Sequence, residues 1–314
     1  MLMTPDRWLA GSISGGCLES DLLQTAWART EKGPAIVNYD STAEDDIVWG
    51  FGLGCRGSVD VLLERIDLSG GPLQYLAEVV DTRTAAVMCT VVSEGPCLGM
   101  RSFRTANSDV PFPGLVYEAG MNAASIACER IVPPMPLIVY GAGNDAMPLV
   151  SIAKSVGWHV SVLDWRPAFA NVGRFPDADV VRVLSPEEFA FGIDVDSRAA
   201  IVLMTHNYLH DRSLLETALR SPARYVGLLG PSSRTHRLLN EVQTAVELPE
   251  SDLKRLHAPI GLTIGAEGPD EIALAVVAEI QSVLNEHEPR RNLQNFKIAR
   301  CLSDLRVEAW AGLA

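Results

Sequence analysis

The sequence predicts an α/β chain in two parts: a small N-terminal α/β domain, then a doubly wound parallel sheet. Three observations carry this. Residues 136–149 read PLIVYGAGNDAMPL, a strand-length apolar run at Leu137–Tyr140, a glycine turn, and a helical pattern behind Asn144. From there to Leu284, short apolar runs alternate with helical patterns, the signature of a parallel sheet with crossover helices. Pro133-Pro134-Met135-Pro136 forms a stiff break ahead of the first run and sets the domain boundary. The expected division is 1–132, 133–287 and a tail at 288–314 without clear periodicity.

The N-terminal part comes first. Met1-Leu2-Met3 and Trp8–Ile13 read as strands about a Thr4-Pro5-Asp6-Arg7 turn. Gly15-Gly16-Cys17 then opens a helix carrying Leu18, Leu22, Leu23 and Ala26 at helical spacing. A thiol at a helix start feels the helix dipole, which favours the thiolate. The plainer reading of Cys17 is a packed turn cysteine, and both stay open. Ala35–Tyr39 reads as a strand and Asp40–Asp46 as a solvated acidic loop. Gly50-Phe51-Gly52-Leu53-Gly54-Cys55-Arg56-Gly57 is too glycine-rich for a regular element. Such a loop can form a nest of backbone N–H groups, and Cys55 sits in it beside Arg56. Ser58–Ile66, Ala85–Val92, Gly99–Phe103 and Ala127–Ile131 read as strands and Leu73–Val80 as a helix.

In the second part, Gly141-Ala142-Gly143 lets the backbone approach a ligand, and the helix behind it offers N–H groups to a phosphate. The spacing is Gly-x-Gly-x-x-Ala, with Ala146 third. Trp158–Leu163 reads as the next strand, and Asp164 at its end stands where a Rossmann-like domain places its ribose-binding acid. Alternatively, the glycines serve only the turn. Ala178–Val183, Ala199–Met204 and Arg224–Leu229 are the following strands. His206 lies just past the second of these, as a general base, a ligand contact or a loop histidine bonded to backbone. Pro269-Asp270-Glu271 opens a helix with Ile272, Val276, Ile280 and Leu284 on one stripe.

Composition narrows the partners. The 314 residues carry a formal net charge of −13, which argues against nucleic acid and anionic membrane surfaces. No apolar run is long enough to span a bilayer, and the start has no leader pattern, so the expected location is cytoplasmic. The six cysteines form no C-x-x-C pair, and most are expected to be free thiols.

Together these motifs resemble the XdhC/CoxI family of xanthine dehydrogenase accessory factors. The resemblance rests on GSISGGCLES at 11–20, GLGCRGSVDVLLE at 52–64, LIVYGAGNDA at 137–146 and VLDWR at 162–166. It continues with MTHNYLHD at 204–211, YVGLLGPSSR at 225–234 and the stretch 256–280. It implies a small N-terminal α/β domain, a C-terminal Rossmann-like domain and a homodimer. It also implies a protein that is not itself catalytic. Such a protein binds molybdenum cofactor, holds it while a cysteine desulfurase adds sulfur, and passes it to a molybdenum hydroxylase apoenzyme. On this resemblance, Gly141, Gly143 and Asn144 hold the phosphate end and Asp164 a ribose if the cofactor carries a nucleotide. Gly15, Gly16, Cys17, Gly54 and Cys55 serve the metal end, with Cys55 the first candidate toward molybdenum. His206 is a further contact. NAD(P) with an oxidoreductase is the alternative. Asn144 stands where the family often has histidine, and the first residues match the middle of the family's N-terminal domain, implying a start downstream of the family's.

Overall fold

A computed structural model describes residues 1–40, 57–66, 71–105, 116–119, 125–189 and 193–285. The chain divides into two compact units, Met1–Pro133 and Pro134–Ala314.

In the first unit, β1 (Leu2–Met3) and β2 (Trp8–Ala10) pair antiparallel, and α1 spans Cys17–Arg29. Strands β3 (Ala35–Asp40) and β4 (Ser58–Leu63) form an antiparallel pair. Leu22 of α1 buries against Val37, Val61 and Leu63, so helix and ribbon share one small core. Helix α2 is Pro72–Thr82. Four strands then make an antiparallel sheet: β5 (Ala86–Val91), β6 (Arg101–Thr105), β7 (Val116–Ala119) and β8 (Ser125–Ile131), in the order β6-β5-β8-β7. The strand β7 has no counterpart in the sequence reading, because four residues of mixed polarity show no usable period.

This sheet corrects the expectation for two cysteines. Cys89 and Cys128 depart from the free state expected of most cysteines and are joined in a disulfide. They lie directly opposite each other in the β5–β8 register, with Cα atoms 4.0 Å apart. Thirty-nine residues separate them in sequence, so only the strand pairing brings them together. Cys97 is free and exposed.

The second unit is a six-stranded parallel sheet of β9 (Pro136–Tyr140), β10 (His159–Asp164), β11 (Val180–Val183), β12 (Ala200–Leu203), β13 (Tyr225–Leu228) and β14 (Leu256–His257). Their spatial order is β11-β10-β9-β12-β13-β14, and every neighbouring pair is parallel. Counted within the unit this is 3-2-1-4-5-6, the Rossmann order, with its switch point between β9 and β12. The helices are α3 (Ala146–Ser155), α4 (Tyr208–Arg220), α5 (Ser232–Ala245), α6 (Glu250–Leu253) and α7 (Pro269–Leu284).

Alternate residues of β9 feed opposite layers, as the period of two requires. Leu137 and Val139 pack with α3 and α7 through Leu149, Val150, Val276 and Ile280. Ile138 and Tyr140 pack with α4 and α5 through Leu214, Leu215, Leu238 and Val242. Every residue of β9, β12 and β13 is buried. At about 1.5–3 kcal/mol for each large side chain, this two-sided burial holds the strand ends fixed. Among the described residues, no helix is long and apolar enough to cross a membrane.

Candidate functional site

The carboxyl ends of β9, β10 and β12 converge on the glycine turn. Gly141 has φ +116°, and its N–H donates to Leu163 O at 2.8 Å. A Cβ at this position would strike the backbone carbonyl of Met204, at the end of β12. The turn therefore needs glycine because two strand ends press together there, independent of any ligand. At Gly143 a Cβ would meet the Asp145 carboxylate. The N–H groups of Gly143, Asn144 and Asp145 have no acceptor among the described residues. They stand just ahead of α3, where backbone donors favour anions.

Asp164 is fully buried, and its carboxylate receives four hydrogen bonds. Ala142 N–H and Arg166 Nη2 donate to Oδ2, each at 2.8 Å. Arg166 N–H and Nε donate to Oδ1, each at 2.9 Å. Four donors fill the acceptor capacity of a carboxylate. Burial alone would raise its pKa, but the Arg166 hydrogen bonds and the Ala142 amide outweigh it and hold the pKa below the usual range. The acid expected to read a ribose thus departs from that expectation. It braces the turn, and the group it presents is the Arg166 guanidinium.

That guanidinium is itself fixed. It lies 4.4 Å from the Trp165 ring centroid and 3.7 Å from that of Phe169. Arg174 lies 5.2 Å from the same Phe169 ring. Its Nη2 donates to Ala142 O at 3.2 Å and to Asn144 Oδ1 at 3.0 Å. Asn144 thus holds an arginine that sequence reasoning did not single out. No local signal links residues 30 apart across a strand and a loop.

His206 stands in a turn built by its neighbours. Thr205 Oγ1 accepts from Asn207 N–H at 3.0 Å and donates to the buried Asp211 Oδ1 at 2.5 Å. Asn207 Oδ1 caps α4 by accepting from Leu209 and His210 N–H. Arg234 Nη2 lies 2.7 Å from Asp211 Oδ2, an ion pair at the foot of the turn. With both sides pinned, His206 takes φ +59°, unusual for a residue with a side chain. Its imidazole is largely exposed, with Nε2 2.8 Å from Asp145 Oδ2. The structure therefore gathers Gly141, Gly143, Asn144, Asp164 and His206 at one sheet edge. It adds Asp145, Arg166 and Arg174.

The other unit holds the first glycine turn. Gly16, at φ +126°, is the N-cap of α1, and Cys17 is the first helical residue. The builder of this loop is Glu19. Its Oε1 accepts from Ile13 and Ser14 N–H at 2.7 and 2.6 Å, and its Oε2 from Ser14 Oγ and Gly16 N–H at 2.6 and 3.0 Å. The Ser14 hydroxyl and amide bonds bring the buried Glu19 carboxyl down to about 2. Several N–H groups of the loop are thus spent on Glu19. Gly54 and Cys55 lie outside the described residues, as do residues 41–46 of the acidic stretch expected to be a loop, while Asp40 ends β3. No cluster able to hold a metal ion occurs among the described residues.

The fold is that of a Rossmann domain, and its glycine turn, with open backbone donors beside two stacked arginines, is an arrangement able to accept an anion. Residues 137–280 match the XdhC Rossmann domain, and residues 1–40 match the XdhC and CoxI family. The chain is 33% identical over 285 residues to a probable xanthine dehydrogenase subunit of Bacillus subtilis (strain 168), covering 86% of this chain and 83% of that one. It is 24% identical over 286 residues to the molybdenum cofactor insertion chaperone PaoD of Escherichia coli (strain K12), covering 90% and 77%. A crystal structure from Bacillus halodurans, described as a xanthine dehydrogenase, superposes with TM-score 0.71 at 30% identity over 91% of this chain and 86% of that one. The chain belongs to the XdhC and CoxI family.

Proposed function

We propose that this protein carries molybdenum cofactor and delivers it to a molybdenum hydroxylase of the xanthine dehydrogenase type. The observation that carries the reading is the set of open N–H groups at Gly143, Asn144 and Asp145, in a chain related over most of its length to a cofactor insertion chaperone. The cofactor is cargo, with its phosphate at the glycine turn, and Cys55 and Cys17 are the thiols to test for a part in handling its sulfur. While the cofactor is held, a cysteine desulfurase supplies the terminal sulfur, and the protein acts as a homodimer. Sulfur ligands suit molybdenum, and a thiolate in a glycine turn is the matching donor. Hydride transfer with NAD, the other reading of the turn, is disfavoured by Asp164, whose carboxylate is buried and fully engaged.

The test is direct. Purified protein is expected to bind the cofactor saturably and to activate apo-hydroxylase when the two are mixed. Cys55→Ala is expected to impair retention or sulfuration, with Cys97→Ala as the control, since Cys97 is a free, exposed thiol. Retention of NAD(H) with turnover of a small alcohol or aldehyde, and no pterin binding, overturns the proposal.

A further inference from the structure

The structure assigns Arg166 and Arg174 as a two-guanidinium seat for a diphosphate beside the glycine turn, so that the ligand suited to this site is a nucleotide-extended cofactor rather than the monophosphate form. This rests on the carrier reading and names which form of the cargo the site selects.

The two arginines are tied to the same residue, Ala142, Arg166 to its N–H by way of Asp164 and Arg174 to its carbonyl. Asp164 Oδ2 joins the Ala142 amide to Arg166 Nη2, with both bonds 2.8 Å long. Arg174 Nη2 donates to the Ala142 carbonyl at 3.2 Å. Phe169 contacts both, at 3.7 and 5.2 Å from its ring centroid. Such stacking restricts a guanidinium before any ligand arrives, so less entropy is lost on binding.

Both arginines keep donors in reserve. Arg166 uses its backbone N–H, Nε and Nη2 on Asp164, and its Nη1 has no partner among the described residues. About a third of its side chain remains exposed (35%). Arg174 has no carboxylate partner among the described residues, and its acceptors are two neutral oxygens. Its Nε is buried and unpaired. A half-buried cation with an orphaned N–H calls for an anion. Asp177 and Asp270 line a cavity of about 350 Å³ shared with Arg174, yet neither is in ion-pair contact with it. Arg174 thus reaches the sheet's carboxyl edge with no carboxylate in direct contact among the described residues.

The acid position supplies the second argument. A free acid at the end of the second strand favours ribose hydroxyls, whereas an arginine there accommodates a phosphate carried by that ribose, so the position tolerates phosphate charge. Here the acid is closed off and the arginine stands in front of it. Asp145 also bears on where the anion sits. Its carboxylate reaches His206 through Oδ2 and lies over Gly143 through Oδ1, so a phosphate is repelled from that side and drawn toward Asn144 and Arg174. The seat so drawn takes one phosphate at the Asn144 amide and a second on the free edges of the two guanidiniums. Bidentate arginine–phosphate contacts are among the stronger charge-assisted hydrogen bonds.

Titration calorimetry on the full chain tests this with inorganic phosphate and inorganic pyrophosphate. Pyrophosphate is expected to bind about tenfold tighter or more, and Arg174→Gln to remove that preference. Arg174 has no buried acid to abandon, so this variant should melt close to the wild type. Arg166→Lys keeps a charge near Asp164 but loses the outer edge, and it too should lose the preference. Equal affinity for the two anions in the wild type, or an intact preference in a folded Arg174→Gln, overturns the inference. The same comparison is then made with the monophosphate pterin cofactor and its dinucleotide form. About tenfold tighter retention of the dinucleotide supports the seat. Equal retention overturns it and leaves the carrier reading standing, whereas retention of neither form overturns the carrier reading itself.

Discussion

The Asp164 carboxylate accepts the Ala142 amide at 2.8 Å from a position with no solvent exposure, so the end of β10 fixes the turn that follows β9. The backbone geometry of the turn thereby depends on a side chain with no solvent exposure.

Replacing this acid tests the brace. Asp164→Asn keeps the shape but removes the charge opposite Arg166 and puts an amide donor among four donors. Breaking a partly buried, hydrogen-bonded pair in this way is expected to cost about 3 kcal/mol. Thermal or urea unfolding measures it. A change within about 0.5 kcal/mol, the range of ordinary surface substitutions, would show that the pair does not hold the turn.

The two glycines of the turn should separate in the same assay. Gly141 combines φ +116° with the Met204 carbonyl where a Cβ would go, and backbone cannot step aside. Gly141→Ala should therefore lose about 3 kcal/mol or fail to fold. Gly143 lacks a positive φ, and its obstacle is the end of the Asp145 side chain. Gly143→Ala should fold with a loss of about 1 kcal/mol or less while disturbing Asp145, its contact with His206, and phosphate binding. Equal destabilisation by both would remove the distinction drawn here between a packing glycine and a ligand-facing one.

Glu19 gives a pH signature. Its folded pKa of about 2 lies below the ordinary value of 4.5, chiefly through the Ser14 hydroxyl and amide. A depressed carboxyl stabilises the fold fully above its unfolded pKa, and that contribution is lost as pH falls from about 4.5 through about 2. The Gly15-Gly16-Cys17 turn is thus expected to loosen in acid. In Glu19→Gln, the acid-dependent part of the unfolding free energy between these limits should shrink, because the titrating group is gone. Superimposable pH profiles for the two proteins would assign the acid sensitivity elsewhere.

The parts of this chain that sequence reveals are those with a period or a local rule. Strands β9, β12 and β13 are buried on both faces, so they read as unbroken apolar runs. The Gly141 turn follows from local backbone chemistry. The roles of side chains are less visible. Asp164 has the right position for a ribose ligand, and only the fold shows that Arg166 and Ala142 have already filled it. Arg174 reaches Asn144 across 30 residues with no periodic cue. Glu19 is legible in principle, since Gly16 and Glu19 stand at capping-box spacing, with glycine in place of the usual hydroxyl residue.

The bond between Cys89 and Cys128 is the hardest feature to foresee and among the simplest to test. Each residue alone is a small buried hydrophobe on a strand, and nothing in the spacing singles out the pair. The antiparallel register of β5 and β8 places them face to face. Alkylation of the native protein without reductant is expected to label Cys97 and leave Cys89 and Cys128 unmodified, with the two recovered as one cross-linked peptide pair. Treatment with a dithiol should expose both to label. The 39-residue separation predicts that reduction lowers stability by about 3–4 kcal/mol, since the loop no longer restricts the unfolded chain. Full labelling of Cys89 in the unreduced, folded protein would show that the pair stays reduced. The bond also decides how the cofactor experiments are controlled. Cys89→Ala would leave Cys128 as a new thiol, whereas Cys97→Ala removes a free one and nothing else, so a deficit seen with Cys55→Ala and not with Cys97→Ala belongs to Cys55.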